Sequence, residues 1–456
     1  MGEIDTIAAI ATPLGTGGIG IVRISGPDAF ATAERIVRLA KGRRVSSLAG
    51  YTCAYGLAAD QEGPIDEVIV TVFRGPHSYT GEDTVELSAH GGIYLMDRLL
   101  NACCKNGARP ALAGEFTKRA FLNGKLDLTQ AEAVIDLISA HGGQAARAAL
   151  SARGGALYRC VGEIADRLTY FAAHLSAWID YPEEEIEAVD PNALQCDLAE
   201  CLQTLDSLAG SYETGRLVRE GIETVIVGRP NVGKSSLMNL MTGVKRSIVS
   251  DIPGTTRDLV SDTVLCGGFV FHLTDTAGIR KPDDPIEQEG VGLALEQIER
   301  AQLVLAVFDG SEPLTGDDRR VMEACRGLNA LALVNKADLT QVLDAQAFAS
   351  DFKRVLLISA HDTNIIKPLT EALTEMVGLG AFDSSAAIVA NTRQRAAVMA
   401  AAGELREAVE ALENGVSYDA VAVCIERALD ALLELTGKRA SQAVVDSVFS
   451  RFCVGK

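Results

Sequence analysis

One stretch limits the fold of this chain more than any other: ETVIVGRPNVGKSSLMN at 223–239. A β-like apolar run leads into Gly228, and a helix-forming run leaves from Gly233, Lys234 and Ser235. This spacing predicts a phosphate-binding loop between a strand and a helix, and with it an α/β domain built on a parallel sheet. Glycines at 228 and 233 let the backbone wrap an anion, so that successive N–H groups point inward where the helix dipole favours negative charge. Asn231, Val232, Gly233, Lys234, Ser235 and Ser236 are the expected nucleotide contacts of the loop. Lys234 is expected to reach the β- and γ-phosphates, and the Ser235 hydroxyl to bind magnesium.

The base is indicated about a hundred residues later, in LVNKADLT at 333–340. Asn335, Lys336 and Asp338 form an Asn-Lys-x-Asp tetrad after a strand, and Ser359-Ala360 follows it. A carboxylate at 338 can accept from both N1–H and the 2-amino group of guanine; against adenine it would be left unpaired. Two segments between these motifs complete the expected site. DIPGTTRD at 251–258, with Ser250 before it, is expected to place Ser250, Asp251, Ile252, Pro253, Gly254, Thr255 and Thr256 over the phosphates, with the Thr256 hydroxyl completing the magnesium shell. DTAGIR at 275–280 offers Asp275 to magnesium through water, then Thr276, Ala277 and a Gly278 N–H facing the γ-phosphate. The next residue, Ile279, stands where nucleotide switches commonly have a water-orienting glutamine, and it can neither donate nor accept a hydrogen bond.

Around this site the chain reads as a multi-domain protein, since 456 residues exceed one hydrophobic core. Residues 1–120 alternate short β-like runs, such as EVIVTVF and TVELSAH, with helix-like stretches at 28–40 and 92–106, an α+β pattern. Residues 121–220 change to helical spacing, with Ile164, Leu168, Phe171, Leu175 and Trp178 on one stripe. Residues 221–379 are the α/β domain, and helical spacing returns over 380–456. The economical arrangement is an α/β domain inserted into an all-α domain. YPEEEIEAVD at 181–190 reads as a solvated acidic loop. GTGGIG at 15–20 matches a dinucleotide fingerprint, but the strand-like IVRIS behind it argues for a tight hairpin.

A net charge of −19 excludes a chain that grips nucleic acid by general phosphate neutralisation; RNA contact requires a local basic patch or a basic partner. The ten cysteines include no Cys-x-x-Cys pair and suit a reducing cytoplasm. No apolar run approaches the roughly 20 residues that span a bilayer, so no membrane contact and a cytoplasmic location are expected.

ATPLGTGGIGIVRISGP at 11–27, GEFTKRAFLNGKLDLTQAEAVIDLI at 114–138 and FCVGK at 452–456 carry a more specific signal. With the nucleotide motifs, they make the whole chain resemble the MnmE (TrmE) family of tRNA-modification GTPases. The resemblance implies a folate-binding-like α+β amino-terminal domain, a helical domain and an inserted Ras-like P-loop GTPase domain. It implies GTP hydrolysis used, with an MnmG-type (GidA) flavoprotein that carries the FAD, to add a carboxymethylaminomethyl or aminomethyl group to C5 of the wobble uridine of tRNA. It implies a homodimer formed through the amino-terminal domain, a heterotetramer with the flavoprotein, and potassium-dependent pairing of the GTPase domains. Potassium ligands carried over are the Asn231 side chain and backbone oxygens of Ser250, Ile252 and Thr255, although Ser250 replaces the family's usual threonine. Glu287 matches the catalytic glutamate that orients the water in place of the missing glutamine. Arg23, Glu86, Lys125 and Lys456 match the positions that hold 5-formyltetrahydrofolate or a related tetrahydrofolate, with Cys453 beside them as a possible nucleophile. A ribosome-assembly or RNA-binding GTPase switch is the alternative; such relatives carry an RNA-binding module after the GTPase domain, whereas the segment after 380 reads as helical. His361, where relatives often have lysine, arginine or leucine, has no explanation in the sequence.

Overall fold

The computed structural model describes residues 5–181, 190–244, 261–275, 297–298 and 300–456. The expected sites at Ser250, Asp251, Ile252, Pro253, Gly254, Thr255, Thr256, Thr276, Ala277, Gly278 and Glu287, and the Asp275 side chain, lie outside the described residues. So does most of the acidic run, at 182–189. The chain divides into two compact units: Met1–Ile135 with Tyr158–Leu202 and Ala400–Lys456, and Asp136–Leu157 with Gln203–Met399.

The first unit contains a seven-stranded sheet of β1 (Ile7–Ile10), β2 (Gly17–Ser25), β3 (Val37–Leu39), β4 (Thr52–Asp60), β5 (Gly63–Phe73), β6 (Thr84–Gly91) and β7 (Arg109–Pro110). The spatial order is β3-β4-β5-β6-β2-β1-β7, antiparallel except for the β1–β7 pair. Period-two alternation puts Val68, Val70 and Val72 of β5 and Val85 and Leu87 of β6 on one face. That face is buried with Ala29, Ala33 and Ile36 of the helix Ala29–Ile36 and Met96, Leu99 and Cys103 of the helix Ile93–Lys105. The opposite face carries Arg23, Glu86 and Thr71 in register across β2, β6 and β5.

Two elements depart from the sequence reading. The helix expected over 28–40 ends at Ile36, and Val37–Leu39 becomes β3: the β-branched pair Ile36-Val37 yields to pairing with β4. β4 itself, TCAYGLAAD, was not legible as a strand, because alanine and glycine have low β propensity. Gly56 is required there by packing, since a Cβ would lie 2.7 Å from Val37 Cγ1 and 3.0 Å from Arg38 O. GTGGIG is no dinucleotide loop: its last residues open β2, which pairs back on β1.

Long helices at Ala156–Asp180, Pro191–Gly210, Thr392–Glu413 and Tyr418–Thr436 follow the predicted apolar spacing. Within the first unit, Ile164, Leu168, Leu175, Leu194 and Leu198 are buried, as are Ile425, Leu432 and Leu435. Trp178 sits at the margin of this stripe, 36% exposed and edge-on to Tyr418.

The second unit is an α/β sheet of β8 (Ile222–Val227), β9 (Ser261–Cys266), β10 (Phe269–Asp275), β11 (Leu303–Asp309), β12 (Ala330–Asn335) and β13 (Arg354–Leu357). Its order is β13-β12-β11-β8-β10-β9, parallel except for the β9–β10 hairpin. Alternate residues fill two cores: Ile226, Leu305 and Leu333 on one face, Val227, Ala306, Phe308 and Val334 on the other. Burial on both faces is why LVLAVF reads as an unbroken apolar run. The chain continues to one side of β8 with β9 and β10 and to the other with β11, β12 and β13. The crevice at the carboxyl end of β8 is therefore the place where such sheets bind ligands.

Candidate nucleotide site and the sheet-face site

The loop 228–233 occupies that crevice, between β8 and the helix Lys234–Val244. Gly228 has φ +148°, and a Cβ there would lie 2.4 Å from Val307 O; Gly233 has φ +102°, and a Cβ would lie 2.1 Å from Asn335 Nδ2. No larger residue fits either position without displacing β11 or β12. Asn231, also left-handed at φ +65°, completes the bend. Lys234 is 7% exposed, and its ammonium donates to Gly228 O at 2.7 Å and Arg229 O at 2.9 Å. The cation is thus held at the mouth of its own loop by two carbonyls. Ser235 is exposed and Ser236 half-buried on the first turn of the helix, while Val232 is buried beneath.

The tetrad expected to meet the base is fastened to this loop. Asn335, 3% exposed at the end of β12, donates from Nδ2 to Val232 O at 2.7 Å and accepts at Oδ1 from Ala360 N at 2.9 Å. Both halves of its amide are used as a strut between the phosphate loop and the 359–360 turn. Asp338 is exposed and accepts from Ser359 Oγ at 2.7 Å. That hydrogen bond, with the charges of His361 and Lys336, holds the Asp338 carboxyl below the usual aspartate range, so it stays an anionic acceptor. Ala337, Asp338, Ser359, His361 and Ile365 line a cleft of about 410 Å³ here. His361 is thereby placed on the wall of the cleft, beside the predicted reading carboxylate.

Sequence reasoning missed Asp309 and Arg229. Asp309, 4% exposed at the end of β11, accepts from Lys336 Nζ and from Ser311 N (3.0 Å) and Oγ (2.6 Å). Burial alone would raise its carboxyl, but these donors outweigh burial and depress it. Lys336, in the left-handed region at φ +65°, is pinned by this pair, and Gln341 Nε2 caps its carbonyl at 2.8 Å. The signal was present: an acid closing an otherwise apolar strand, as Asp275 closes FVFHLTD. Arg229 extends from the phosphate loop to Glu312 at 2.5 Å and to Asp318 at 3.3 Å, the third residue of the helix Gly316–Cys325 and the partner of its N-cap Thr315 in a capping box.

In the first unit, Arg23 and Glu86 face each other across β2 and β6, with Arg23 Nε to Glu86 Oε1 at 2.8 Å. The Arg23 guanidinium lies 5.6 Å from the Phe116 ring centre and 5.9 Å from that of Tyr79, and donates to Gly455 O at 3.3 Å. The carboxy-terminal segment is held there by a bridge between Ala113 and Val454 and by Gly114 N to Cys453 O at 3.4 Å. Lys456 is half-buried and Cys453 exposed. Lys125 donates to Pro76 O at 3.0 Å, and its side chain passes 3.5 Å from the Cβ position of Gly81, two residues beyond Tyr79. Arg23, Glu86 and the segment before Lys456 are therefore brought together on the open sheet face.

Known proteins resemble the chain along its whole length. Residues 6–125 match the family model of the GTP-binding protein TrmE N-terminus, and residues 128–453 that of the MnmE helical domain. The tRNA modification GTPase MnmE of Symbiobacterium thermophilum is 44% identical over 460 residues, covering 100% of both chains. Its counterpart in Moorella thermoacetica is 42% identical over 99% of each chain, and that in Clostridioides difficile 39% over 99% of each. A likeness that runs through the amino-terminal sheet, the helices and the phosphate loop alike leaves one assignment: this GTPase belongs to the MnmE family.

Proposed function

We propose that the chain hydrolyses GTP to drive modification of tRNA, adding a carboxymethylaminomethyl or aminomethyl group to C5 of the wobble uridine together with an MnmG-type flavoprotein that carries the FAD. The observation that carries this reading is the end-to-end identity with proteins described as tRNA modification GTPases. The geometry supports its first half: a phosphate loop built on Gly228 and Gly233 is tied through Asn335 to the Asp338–Ser359 cleft, so phosphate and base are read by one connected frame. The reading includes a cytoplasmic homodimer through residues 1–120 and a heterotetramer with the flavoprotein. Among the described residues no helix is long and apolar enough to cross a membrane. The helices after residue 391 favour this reading over an RNA-binding GTPase switch.

The chain's own residues divide the work. Asp338 accepts from guanine, Asn335 keeps the two loops in register, and Lys234 leaves its carbonyls for the phosphates. Ser235 offers an exposed hydroxyl at the helix start that suits magnesium, and Thr256 and Asp275 would complete the oxygen donors. Asn231, with backbone oxygens of Ser250, Ile252 and Thr255, would hold potassium; the two ions, when bound, would supply positive charge against the negative charge accumulating on the phosphates. Glu287 accepts from the attacking water and orients it, the role Ile279 cannot fill. On the sheet face, Glu86 offers acceptors to a pterin, and Arg23, Lys125 and Lys456 offer cations to the glutamate tail of a tetrahydrofolate, with Cys453 beside them. The fit rests on the paired Arg23 and Glu86 lying against two aromatic rings on an otherwise open face.

The deciding experiment is nucleoside analysis of tRNA from cells that lack the gene and from cells complemented with it. Loss of the wobble modification, restored by the wild-type gene and not by a Lys234→Ala variant, is the expected result. A full complement of the modified nucleoside in the deletion strain rejects the assignment.

A further inference from the structure

Outside both sites, a concentration of positive charge lies in ERIVRLAKGRR, residues 34–44: five cations and one acid, a net +4 in a chain whose total is −19. Arg35, Arg38, Lys41, Arg43 and Arg44 are all exposed. The fold accounts for this. β3 is the outer strand of its sheet, so Val37 and Leu39 turn into the core while Arg38, between them, faces solvent. Lys41 and Gly42 then bend the backbone through the left-handed region (φ +62° and +66°), and Arg43 and Arg44 follow directly. Arg35 donates to Asn106 O at 2.6 Å, which brings the exposed Lys105 at the end of the helix Ile93–Lys105 to the same edge.

Pairing distinguishes this patch from an ordinary solvated charge run. Arg44 is joined to Glu34 at 2.9 Å, but Arg38, Lys41 and Arg43 make no ion pair among the described residues. A strongly acidic protein repels a polyanion at long range, so any nucleic acid it binds must be met by a local concentration of opposite charge. Phosphate contacts supply most of such affinity, and arginine's planar fork suits phosphate oxygens. We propose that this edge, Arg35 to Arg44 with Lys105, is where the tRNA backbone docks. The proposal rests on the tRNA-modifying reading above and adds to it the surface that meets the substrate.

The test compares full-length wild-type protein with the triple variant Arg38→Gln, Lys41→Gln, Arg43→Gln. A control, Arg319→Gln, Arg320→Gln, Lys353→Gln, removes the same charge from exposed positions of the second unit. Binding of unmodified tRNA is measured by fluorescence anisotropy across a series of KCl concentrations. The patch variant is expected to lose about tenfold or more in affinity. The slope of log affinity against log salt is expected to shrink by about 0.7 to 0.9 for each phosphate that no longer meets a cation. The control should stay within about twofold of wild type, Arg38→Lys with Arg43→Lys should retain most affinity because charge is kept, and basal GTP hydrolysis should not change in any variant. An unchanged salt slope in the patch variant overturns the proposal, as does equal loss in the control. Wild-type protein that binds no tRNA at low salt also overturns it. Retained tRNA affinity with lost binding to anionic phospholipid vesicles would assign the patch to a membrane surface instead. Nucleoside analysis of the deletion strain separates the two claims: modification lost there but fully restored by the patch variant, with tRNA affinity intact, removes the docking surface and leaves the tRNA-modifying reading standing.

Discussion

The Asn335–Asp338 end of the second unit and the Arg23–Glu86 face of the first are built on opposite plans. In the former, neutral amides and backbone carbonyls set the positions: Asn335 joins Val232 and Ala360, and the ionised groups Asp338 and Lys336 are held by Ser359 and Asp309. In the latter, a largely buried ion pair between neighbouring strands is completed by a carbonyl 432 positions away in the chain, Gly455 O. Rigid neutral struts place one charge accurately for one ligand edge. An ion pair on a sheet face offers both signs to a ligand, and its geometry depends on whatever docks beside it.

The comparison can be broken at several points. The largest effect is expected at the base: Asp338→Asn should weaken GTP binding by on the order of 100-fold, because the acceptor for two guanine donors is replaced by a group that presents N–H. Competition binding checks this, and the same variant should gain affinity for xanthosine triphosphate, whose second carbonyl matches the new donor; unaltered GTP affinity means the base is read elsewhere. Next, Glu287→Ala should slow turnover at least about tenfold in potassium buffer and leave nucleotide affinity nearly intact. A wild-type rate in that buffer would remove the residue from the mechanism, and equal wild-type rates in potassium and sodium would remove the potassium ion.

On the other side of the comparison, Gly455→Ala forces a Cβ to within 2.3 Å of Ile10 O at φ +98°. A strain of roughly 1–3 kcal/mol should loosen the carboxy-terminal segment and reduce tetrahydrofolate affinity about five- to tenfold, read by titration calorimetry. GTP hydrolysis by the isolated protein should be unaltered; tetrahydrofolate binding at the wild-type level would show that Gly455 does not hold the site. The smallest effect is electrostatic. Asp66 raises the His90 imidazole above its usual 6.5. A group raised on folding stabilises the fold fully below its unfolded value, and that contribution fades as pH rises through the folded value. His90→Ala should therefore lower the melting temperature more at about pH 5.5 than at about pH 8.5. A deficit that is the same at both values would show that the pair contributes no charge-dependent stability.

The same contrast explains what could be read in advance. The loop 228–233 and the tetrad 335–338 are each contiguous in sequence, so Gly228, Lys234 and Asp338 stand out as candidates from spacing alone. Asp309 was hidden because its partner Lys336 lies on another strand's end, a relation only the parallel register of β11 and β12 creates. Arg23 and Glu86 look like ordinary surface charges until β2 pairs with β6, and family likeness alone pointed to them. Helical stripes were legible from spacing, since burial repeats every three or four residues regardless of what packs above. β4 was not, because the close approach of β3 demanded small residues that carry no strand signal.

The docking of Gly455 beside Arg23 sets an order of events during biosynthesis. The first strands can pair while the ribosome is still working, but the guanidinium must wait through the translation of more than four hundred further codons before its carbonyl arrives. A nascent polypeptide can thus possess a finished sheet while the Arg23 guanidinium still lacks the Gly455 carbonyl, so this face is completed later than the sheet that carries it.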